Sequence, residues 1–312
     1  MAPGGADRAR VNAYRVIGDR AVRRIADVRH RPFDLDEPDD GRSYELVLCA
    51  VFRNDARFLR EWIEFHRLVG VEKFVLFDNH SVDDFRSVLR PYVDSGLVSL
   101  HRLPRVRASY PFYRALQLRA YDACVDRYRG RARWIACIDV DEFLNPQTGD
   151  SVVDLLGDFA AHPALAVHWV MFGPSGRVLR PDAPVIDAYT RCAVGGSARV
   201  KVIVDPRRTQ RFISPHHASY TGGALAVNER GEPVAGGESE PPAVTRIRIN
   251  HYYTRSVEDF LAKYAANDGA KTGHKGLREL AYAEREYSSG VDTSIRRFLP
   301  RLEAALRGGP SA

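Results

Sequence analysis

The stretch Arg133–Pro146, "RWIACIDVDEFLNP", joins a run of apolar residues to three carboxylates. Asp139, Asp141 and Glu142 follow directly after Trp134–Ile138. A short apolar run of this kind is typical of a buried strand. A strand that ends in carboxylates brings negative charge to the rim of a sheet, where a cation can offset the mutual repulsion. The sequence therefore predicts a buried strand with a charged site at its carboxyl end.

Before this stretch, predicted strands and helices alternate along the chain. Short apolar runs predict strands over Tyr44–Phe52, Lys73–Asp78 and Leu97–Leu103. Apolar residues at helical spacing predict helices over Ala56–Gly70, Val82–Gly96 (interrupted near Pro91) and Pro111–Gly130. This alternation predicts an α/β fold, a mostly parallel sheet with helices on both faces. Since ligands of such sheets bind beyond the carboxyl ends of the strands, the polar clusters Arg53–Asp55, Asp78–Asp84 and Asp139–Glu142 should share one edge.

The pattern changes after about residue 150. Strands are predicted over Ala164–Gly173, Ser197–Pro206 and Thr245–Tyr253, a helix begins at a Ser256/Asp259 capping box, and a last helix spans Thr293–Leu306. The segment Thr221–Val244 is rich in Gly, Pro and Glu and predicts a surface excursion or a partly disordered loop. We therefore expect one domain over residues 44–312, in two halves, 44–150 and 151–312, with C-terminal helices in the second.

The N-terminal residues 1–43 form a separate region. Residues 8–31 carry eight arginines among apolar residues at helical spacing, which predicts a basic amphipathic helix. An acidic linker, Phe33–Ser43, follows it. The helix either packs on the main domain or lies on an anionic membrane surface.

Composition narrows the class of protein. The 312 residues are 45% hydrophobic, enough to bury a sizeable core, and the net charge of +6 is spread along the chain. No basic run is interleaved with stacking aromatics, so we expect no nucleic-acid partner. The four cysteines form no CxxC pair, and no signal-peptide or membrane-spanning pattern occurs, so we expect a cytoplasmic protein, with peripheral contact at the inner face of the cell membrane as the alternative.

Asp139 and Asp141 flank a single residue and can reach one ion from a strand end. Oxygen ligands with few protein donors suit Mg²⁺ or Mn²⁺, which keep positions open for phosphate oxygens. An acidic turn after a strand is the simpler interpretation of the same spacing. His251, at the end of a later predicted strand, is either a third ligand or a packed histidine.

Other polar residues suggest contacts with a sugar nucleotide. Asp78, Asn79 and Ser81 can accept hydrogen bonds from ribose or a base, or form an Asx-type turn. Lys201 can meet a diphosphate or face solvent. Trp169 precedes the turn "FGPSG" and can stack on a sugar or belong to the core. Trp169 with the turn residues Phe172, Gly173 and Ser175 is therefore a candidate sugar-binding group.

Several segments occur together, and in this order, in one known family. They are "NDARFLREWIEFHRLVGVEKFVLFDNHSVDD", the long helix carrying Gln117, "WIACIDVDEFL", "HWVMFGPSG", "KVIVDP" and "NHYYTRSVEDFLAK". The chain resembles the family 92 glycosyltransferases and their bacterial family 2-like relatives over about residues 45–263. The resemblance implies a GT-A fold, with a nucleotide-binding half at 44–150 and an acceptor-binding half at 151–312. The candidate acceptor-binding residues of the second half are Trp169, Phe172, Gly173 and Ser175. The resemblance also implies a metal-binding DxD motif at Asp139 and Asp141, with His251 as a further ligand. It also implies donor-binding residues at Ala50, Arg53, Asn54, Asp55, Asp78 and Gln117.

The function implied is metal-dependent transfer of a sugar from a nucleoside-diphosphate sugar to a hydroxyl acceptor, with inversion. The acceptor is expected to be a glycan, an envelope polysaccharide or a small molecule. Inversion needs a base for the acceptor hydroxyl, and Asp187, His216 and Glu142 are candidates, with His217 beside them. A sugar nucleotidyltransferase and a non-catalytic carbohydrate-binding relative are the alternatives, and the sequence leaves the oligomeric state open.

Overall fold

The computed structural model describes residues 19–30, 33, 35, 41–105, 110–266 and 273–308. The first half contains α1 (Asp19–His30), β1 (Tyr44–Phe52), α2 (Ala56–Leu68), β2 (Lys73–Asp78), α3 (Phe85–Asp94), β3 (Val98–Arg102), α4 (Tyr110–Tyr128), β4 (Ala132–Cys137), β5 (Glu142–Pro146) and α5 (Val152–Gly157). The second half contains β6 (Ala164–Met171), α6 (Val185–Ala188), β7 (Arg191–Cys192), β8 (Val200–Val204), β9 (Thr209–Ser214), β10 (His217–Tyr220), β11 (Ala226–Val227), β12 (Pro233–Val234), β13 (Ile247–His251), α7 (Val257–Ala266), α8 (Gly273–Glu286), β14 (Gly290–Val291) and α9 (Leu299–Gly308). Two 3-10 turns lie at Thr221–Gly223 and Ser294–Phe298.

A central sheet runs in the order β12-β11-β6-β8-β4-β1-β2-β3. β1 pairs in parallel with β2 and with β4, and β2 pairs in parallel with β3. β13 extends the sheet by pairing in parallel with β6 and antiparallel with β5. The carboxyl ends of β1, β2 and β4 therefore meet at one edge, which confirms the α/β fold class and the predicted position of the polar clusters.

Residues of β1 alternate between two hydrophobic clusters, one on each face of the sheet. Leu46, Leu48, Ala50 and Phe52 pack with α2 and α3. Val47, Cys49 and Val51 pack with α4. Successive side chains of a strand point to opposite faces, so a continuous apolar run is the pattern of a strand covered on both sides.

The structure corrects some local expectations. The predicted interruption at Pro91 is wrong, because α3 continues to Asp94. Pro91 still accepts a hydrogen bond from Ser95 N–H at 3.1 Å, and Leu89 and Tyr92 are buried, so packing holds the helix through the proline. The residues that follow Asp141 form a further strand, β5, which we did not predict.

The segment Thr221–Val244 is built into the sheet. β11 pairs with β6, and β12 pairs with β11. The buried Glu229 accepts backbone hydrogen bonds from Thr245, Arg246 and Ile247 at 2.7–2.8 Å. The predicted surface excursion is therefore wrong for this part of the segment, because a buried carboxylate and four strand residues tie it to the core.

The described part of the N-terminal helix, α1, packs on α4. Arg29 forms an ion pair with Asp122 and donates a hydrogen bond from Nη2 to the Phe212 carbonyl at 2.8 Å. The remainder of the predicted helix lies outside the described residues. Within the described parts of the chain, no helix is both long and apolar enough to cross a bilayer.

Candidate functional site

A tight turn between β4 and β5 carries the two aspartates. Glu142 N–H donates to the Asp139 carbonyl at 3.0 Å, and Asp139 N–H donates to Glu142 Oε2 at 2.8 Å. Glu142 has no exposed surface, and burial raises its pKa well above the usual value, with Lys201 partly offsetting this. Glu142 thus shapes the turn from beneath and has no access to a substrate.

The Asp139 carboxylate contacts a buried ammonium group. Lys201 Nζ, on β8, lies 2.8 Å from Asp139 Oδ2 and 3.4 Å from Glu142 Oε2, and the Lys201 side chain is only 1% exposed. Burial disfavours a charged lysine, but Asp139 and Glu142 outweigh it and keep the pKa of Lys201 above its usual value. Gln117 Nε2, on α4, donates to the other Asp139 oxygen at 3.1 Å.

The Asp141 carboxylate has different partners. Lys263 Nζ, on α7, lies 2.6 Å from Oδ2, and His251 Nε2, at the end of β13, lies 3.5 Å from Oδ1. Burial of Asp141 opposes its ionisation, but Lys263 and His251 outweigh that effect and hold the pKa of Asp141 well below its usual value. Asp141 is therefore a carboxylate throughout the neutral range.

An aromatic wall lies beside the two aspartates. The Trp169 ring stands edge-on to His251, with centroids 4.5 Å apart, and to His216, with centroids 5.2 Å apart. Lys201 Nζ lies 6.0 Å from the centroid of the Trp169 ring. Trp169 Nε1 and His251 Nδ1 are buried and have no hydrogen-bond partner among the described residues. Both atoms therefore lack the hydrogen bond that a buried polar group normally makes.

Two of the three predicted metal ligands are placed where they could hold a divalent cation together. Among the described residues, no group of three or more His, Cys, Asp and Glu side chains is arranged to hold an ion. The three predicted metal ligands, Asp139, Asp141 and His251, do not form one cluster. Asp141 and His251 face each other, while Asp139 is paired with Lys201. The Asp141 carboxylate suits Mg²⁺ or Mn²⁺, which proteins commonly hold by one or two carboxylates together with substrate phosphates and water, and the His251 imidazole would add a nitrogen ligand. The three-ligand site stays a prediction.

The loops after β1 and β2 are tied together by side chains of the predicted nucleotide pocket. Ser81 N–H donates to Asp78 Oδ1 at 2.7 Å, Asn54 N–H donates to Ser81 Oγ at 2.9 Å, and Val82 N–H donates to Asn54 Oδ1 at 2.8 Å. The structure therefore brings Asn54, Asp78 and Ser81 together and uses them to shape the edge of the sheet. Their contacts with a nucleotide stay predictions, as do those of Ala50, Arg53, Asp55 and Asn79.

The predicted acceptor residues have separate surroundings. Phe172 is fully buried and packs on Tyr252, with ring centroids 4.7 Å apart. At Gly173, an added Cβ would lie 2.6 Å from Ser288 Oγ, so only glycine fits there. Ser175 Oγ accepts from the N–H groups of Thr190 and Arg191 at 3.0 and 2.9 Å. Structural roles thus account for Phe172, Gly173 and Ser175, whereas Trp169 belongs to the wall of the site.

Two basic residues of the site escaped our sequence interpretation. Arg255 Nη2 donates to the Val140 carbonyl, between the two aspartates, at 3.1 Å, and Nη1 lies 3.4 Å from Asp55 Oδ1. Lys263 contacts Asp141 as described. Both residues lie in the segment "NHYYTRSVEDFLAK", which the resemblance already singled out. The seven-residue spacing from the Ser256 cap to Lys263 places the lysine about two turns into α7.

Comparison with known proteins places the chain in a family. The sequence model of glycosyltransferase family 92 matches residues 44–216, from β1 through both aspartates and Lys201 to His216. The chain belongs to glycosyltransferase family 92. A family 92 protein of Ricinus communis is 31% identical over 293 residues, which cover 84% of this chain and 49% of the relative. The galactan beta-1,4-galactosyltransferase GALS3 of Arabidopsis thaliana is 26% identical over 219 residues, which cover 68% of this chain and 42% of the relative. The chain thus spans half or less of the length of these family 92 relatives.

Solved structures with a partial likeness to this chain include complexes with nucleotides and nucleotide sugars. S. aureus TarS, residues 1–349 in complex with UDP, has a TM-score of 0.37 and 11% identity, covering 85% of this chain and 73% of that chain. The mannosyltransferase PcManGT from Pyrobaculum calidifontis, in complex with GDP-Man and Mn²⁺, has a TM-score of 0.28 and 14% identity, covering 46% of this chain and 41% of that chain. At these TM-scores the likenesses carry no weight for the function of this chain.

Proposed function

We propose that this family 92 chain transfers a sugar from a nucleoside-diphosphate sugar to a hydroxyl group of an acceptor, with a divalent cation held at Asp141 and His251. The observation that carries the proposal is the meeting of Asp141 and His251 at the carboxyl edge of the sheet, next to the Asp139–Lys201 pair. A rigid turn and two lysines hold charged groups there, at the place where α/β sheets bind nucleotides.

Each group of residues at the site has its own role in this proposal. When bound, the divalent cation supplies positive charge to the diphosphate as the glycosidic bond breaks. Lys201 and Gln117 fix the Asp139 carboxylate, so that its orientation is set before the donor arrives. The edge loops with Asn54 and Asp78 form the floor on which we place the nucleoside.

Transfer with inversion requires a base that takes the proton of the acceptor hydroxyl during in-line attack. His216 fits this role better than the other two candidates. Its Nδ1 lies 2.9 Å from the Val200 carbonyl, so the neutral ring donates there and keeps the lone pair on Nε2. Burial, and next the nearby Lys201 ammonium, lower the pKa of His216 to about 4, so the ring is neutral at pH 7. Asp187, by contrast, is paired with Arg296 at 3.0 Å, and Glu142 is fully buried.

A panel of nucleotide sugars tests the proposal. Purified protein is incubated with each donor and Mn²⁺, and release of the nucleoside diphosphate is measured with and without glycan acceptors. UDP-galactose is the first donor to try, since three relatives are named as galactan beta-1,4-galactosyltransferases. Formation of a β-linkage from an α-linked nucleotide sugar would demonstrate inversion. Asp141→Asn is the matched control, because it removes one charge and little volume.

The outcomes also separate the rival functions. A sugar nucleotidyltransferase would form a nucleotide sugar from a sugar phosphate and a nucleoside triphosphate, releasing diphosphate. A non-catalytic relative would bind carbohydrate without turning over any donor. Either result, together with no donor turnover in Mn²⁺, would contradict the proposal.

A further inference from the structure

The two aspartates of the site are neutralised by two lysines that differ in burial. Lys201 is 1% exposed and touches two carboxylates, those of Asp139 and Glu142. Lys263 is 47% exposed and contacts one carboxylate, that of Asp141. Withdrawal of Lys201 would leave two carboxylates without their counterion, one of them fully buried, which is costly. Withdrawal of Lys263 would move a half-exposed side chain toward solvent.

Lys263 forms an ion pair with Asp141, the carboxylate that a divalent cation would need as a ligand. Its ammonium lies 2.6 Å from Asp141 Oδ2, while the other oxygen of Asp141 faces His251 Nε2. A divalent ion bound between Asp141 and His251 would lie close to the ammonium, and the two positive charges would repel strongly at that distance. The ion and the lysine therefore compete for Asp141.

The Lys263 side chain has a second binding partner nearby, the ring of Tyr253. Lys263 Nζ already lies 5.6 Å from the centroid of the Tyr253 ring, and aromatic faces attract ammonium groups. The helix that carries Lys263 is anchored at its first turn, where Ser256 Oγ accepts from Asp259 N–H at 3.0 Å. The backbone of α7 can thus stay in place while the flexible lysine side chain moves.

We propose that Lys263 is an internal counterion of Asp141 that a divalent cation must displace in order to bind. This proposal rests on the proposed function, and it concerns metal binding rather than turnover. It gives Asp141 a counterion of its own beside Asp139, which is paired with Lys201. The proposal also predicts a lower metal affinity for the free enzyme, because the ion must compete with Lys263 for Asp141. The donor diphosphate would then meet both the metal ion and the released ammonium.

Mn²⁺ binding to the full-length protein, without nucleotide, tests the proposal. Free Mn²⁺ is measured by electron paramagnetic resonance during titration of wild type, Lys263→Met, Lys263→Gln and Lys263→Arg. We expect the Met and Gln variants to bind Mn²⁺ about tenfold more tightly or better, since a neutral side chain cannot compete, and the Arg variant to show no such gain. Adding Asp141→Asn to Lys263→Met should abolish the gain.

The control for net charge is Arg90→Met on α3, which removes one positive charge from a side chain that is 81% exposed. It should bind Mn²⁺ as wild type does. Unchanged or weaker binding by folded Lys263→Met and Lys263→Gln, or an equal gain in Arg90→Met, would overturn the proposal, as would a lack of Mn²⁺ binding in every variant. These results do not depend on finding the donor sugar, so failure here is distinct from failure of the donor panel.

Discussion

Lys201 Nζ lies 2.8 Å from Asp139 Oδ2, and the lysine side chain is almost completely buried beneath the aspartate. The strand that carries Lys201, β8, pairs antiparallel with β4, the strand that leads to Asp139. The ion pair therefore joins two neighbouring strands of the central sheet at the point where the candidate site begins. A side chain of the site is in this way also part of the core.

Lys201→Met should destabilise the protein by about 3–5 kcal/mol, because it leaves the Asp139 and Glu142 carboxylates without their counterion. Urea unfolding at pH 7 measures the change. In the double variant Lys201→Met/Glu142→Gln, part of the lost stability should return, since a neutral amide then replaces the buried carboxyl group that Lys201 contacts. A change below about 0.5 kcal/mol in the single variant, the range of ordinary surface substitutions, would show that the pair has no structural role.

Removal of the metal should stop sugar transfer. If Asp141 and His251 hold a cation for the departing diphosphate, as we propose, EDTA in excess should abolish turnover of the donor and Mn²⁺ should restore it. Asp141→Ala should be inactive at any Mn²⁺ concentration. His251→Ala should weaken Mn²⁺ binding on the order of 10- to 100-fold, as expected for loss of one group at a metal site. Full activity in EDTA would exclude the metal role.

The order of strands and helices in the first half could be predicted closely from sequence. β1 and β2 have the predicted limits, Tyr44–Phe52 and Lys73–Asp78, because both are buried on two faces and end at polar residues. β5 could not be found in this way. Its apolar residues directly follow the aspartate turn, and only pairing with β13, about a hundred residues later, makes them a strand.

The electrostatics of the site were harder to predict than its position. The spacing of Asp139 and Asp141 located the edge of the sheet correctly, and it suggested two carboxylates that repel each other. Each one instead has a lysine, contributed from positions 62 and 122 residues away along the chain. Such partners depend on tertiary packing, which one sequence does not display. The same holds for Phe172 and Gly173, whose roles are set by residues of the C-terminal region.

His216→Ala should lower kcat about 10²- to 10⁴-fold if His216 is the base. The pH profile gives a sharper test, because the pKa of His216 is lowered to about 4. A histidine with its usual pKa would lose activity as the pH falls through 6.5. Here the neutral, competent form should persist to about pH 5, so kcat should stay level between pH 7 and pH 5 wherever the protein remains folded. A fall of kcat centred near pH 6.5 would contradict the assignment.

His66 should make the protein less stable in acid. Its Nδ1 lies 2.7 Å from the Trp62 carbonyl, and its Nε2 accepts from Leu144 N–H at 3.2 Å, an arrangement that only the neutral ring allows. Burial lowers the pKa of His66 from 6.5 to about 3. Between these values the unfolded state takes up a proton that the folded state does not, so stability falls by about 1.4 kcal/mol for each pH unit below 6.5. In His66→Gln, urea unfolding between pH 6.5 and pH 4 should show a slope smaller by about that amount, and an equal slope would refute the role of His66.

The N-terminal helix should stabilise the domain by docking. Arg29 pairs with Asp122 and binds the Phe212 carbonyl, while Asp122 Oδ1 accepts from Phe212 N–H at 2.7 Å, so one arginine joins α4 to β9. Arg29→Ala should lower the free energy of unfolding by about 1.5–3 kcal/mol, the range for hydrogen bonds to charged groups, as measured by urea unfolding. Arg24→Ala, in the exposed part of the same helix, is the control and should change little.

A truncated protein beginning at Arg42 separates docking from membrane attachment. If α1 docks, the truncated protein should unfold at lower urea, and neither form should sediment with anionic vesicles at low salt. If the arginines bind lipid, only the longer protein should sediment, and about 0.5 M salt should release it, because salt screens charge attraction but leaves apolar packing intact. We expect the docking result, since Val28 packs on the core and Arg29 faces the domain. Salt-sensitive sedimentation of the full-length protein, with no difference in stability between the full-length and truncated forms, would show instead that the helix binds the membrane.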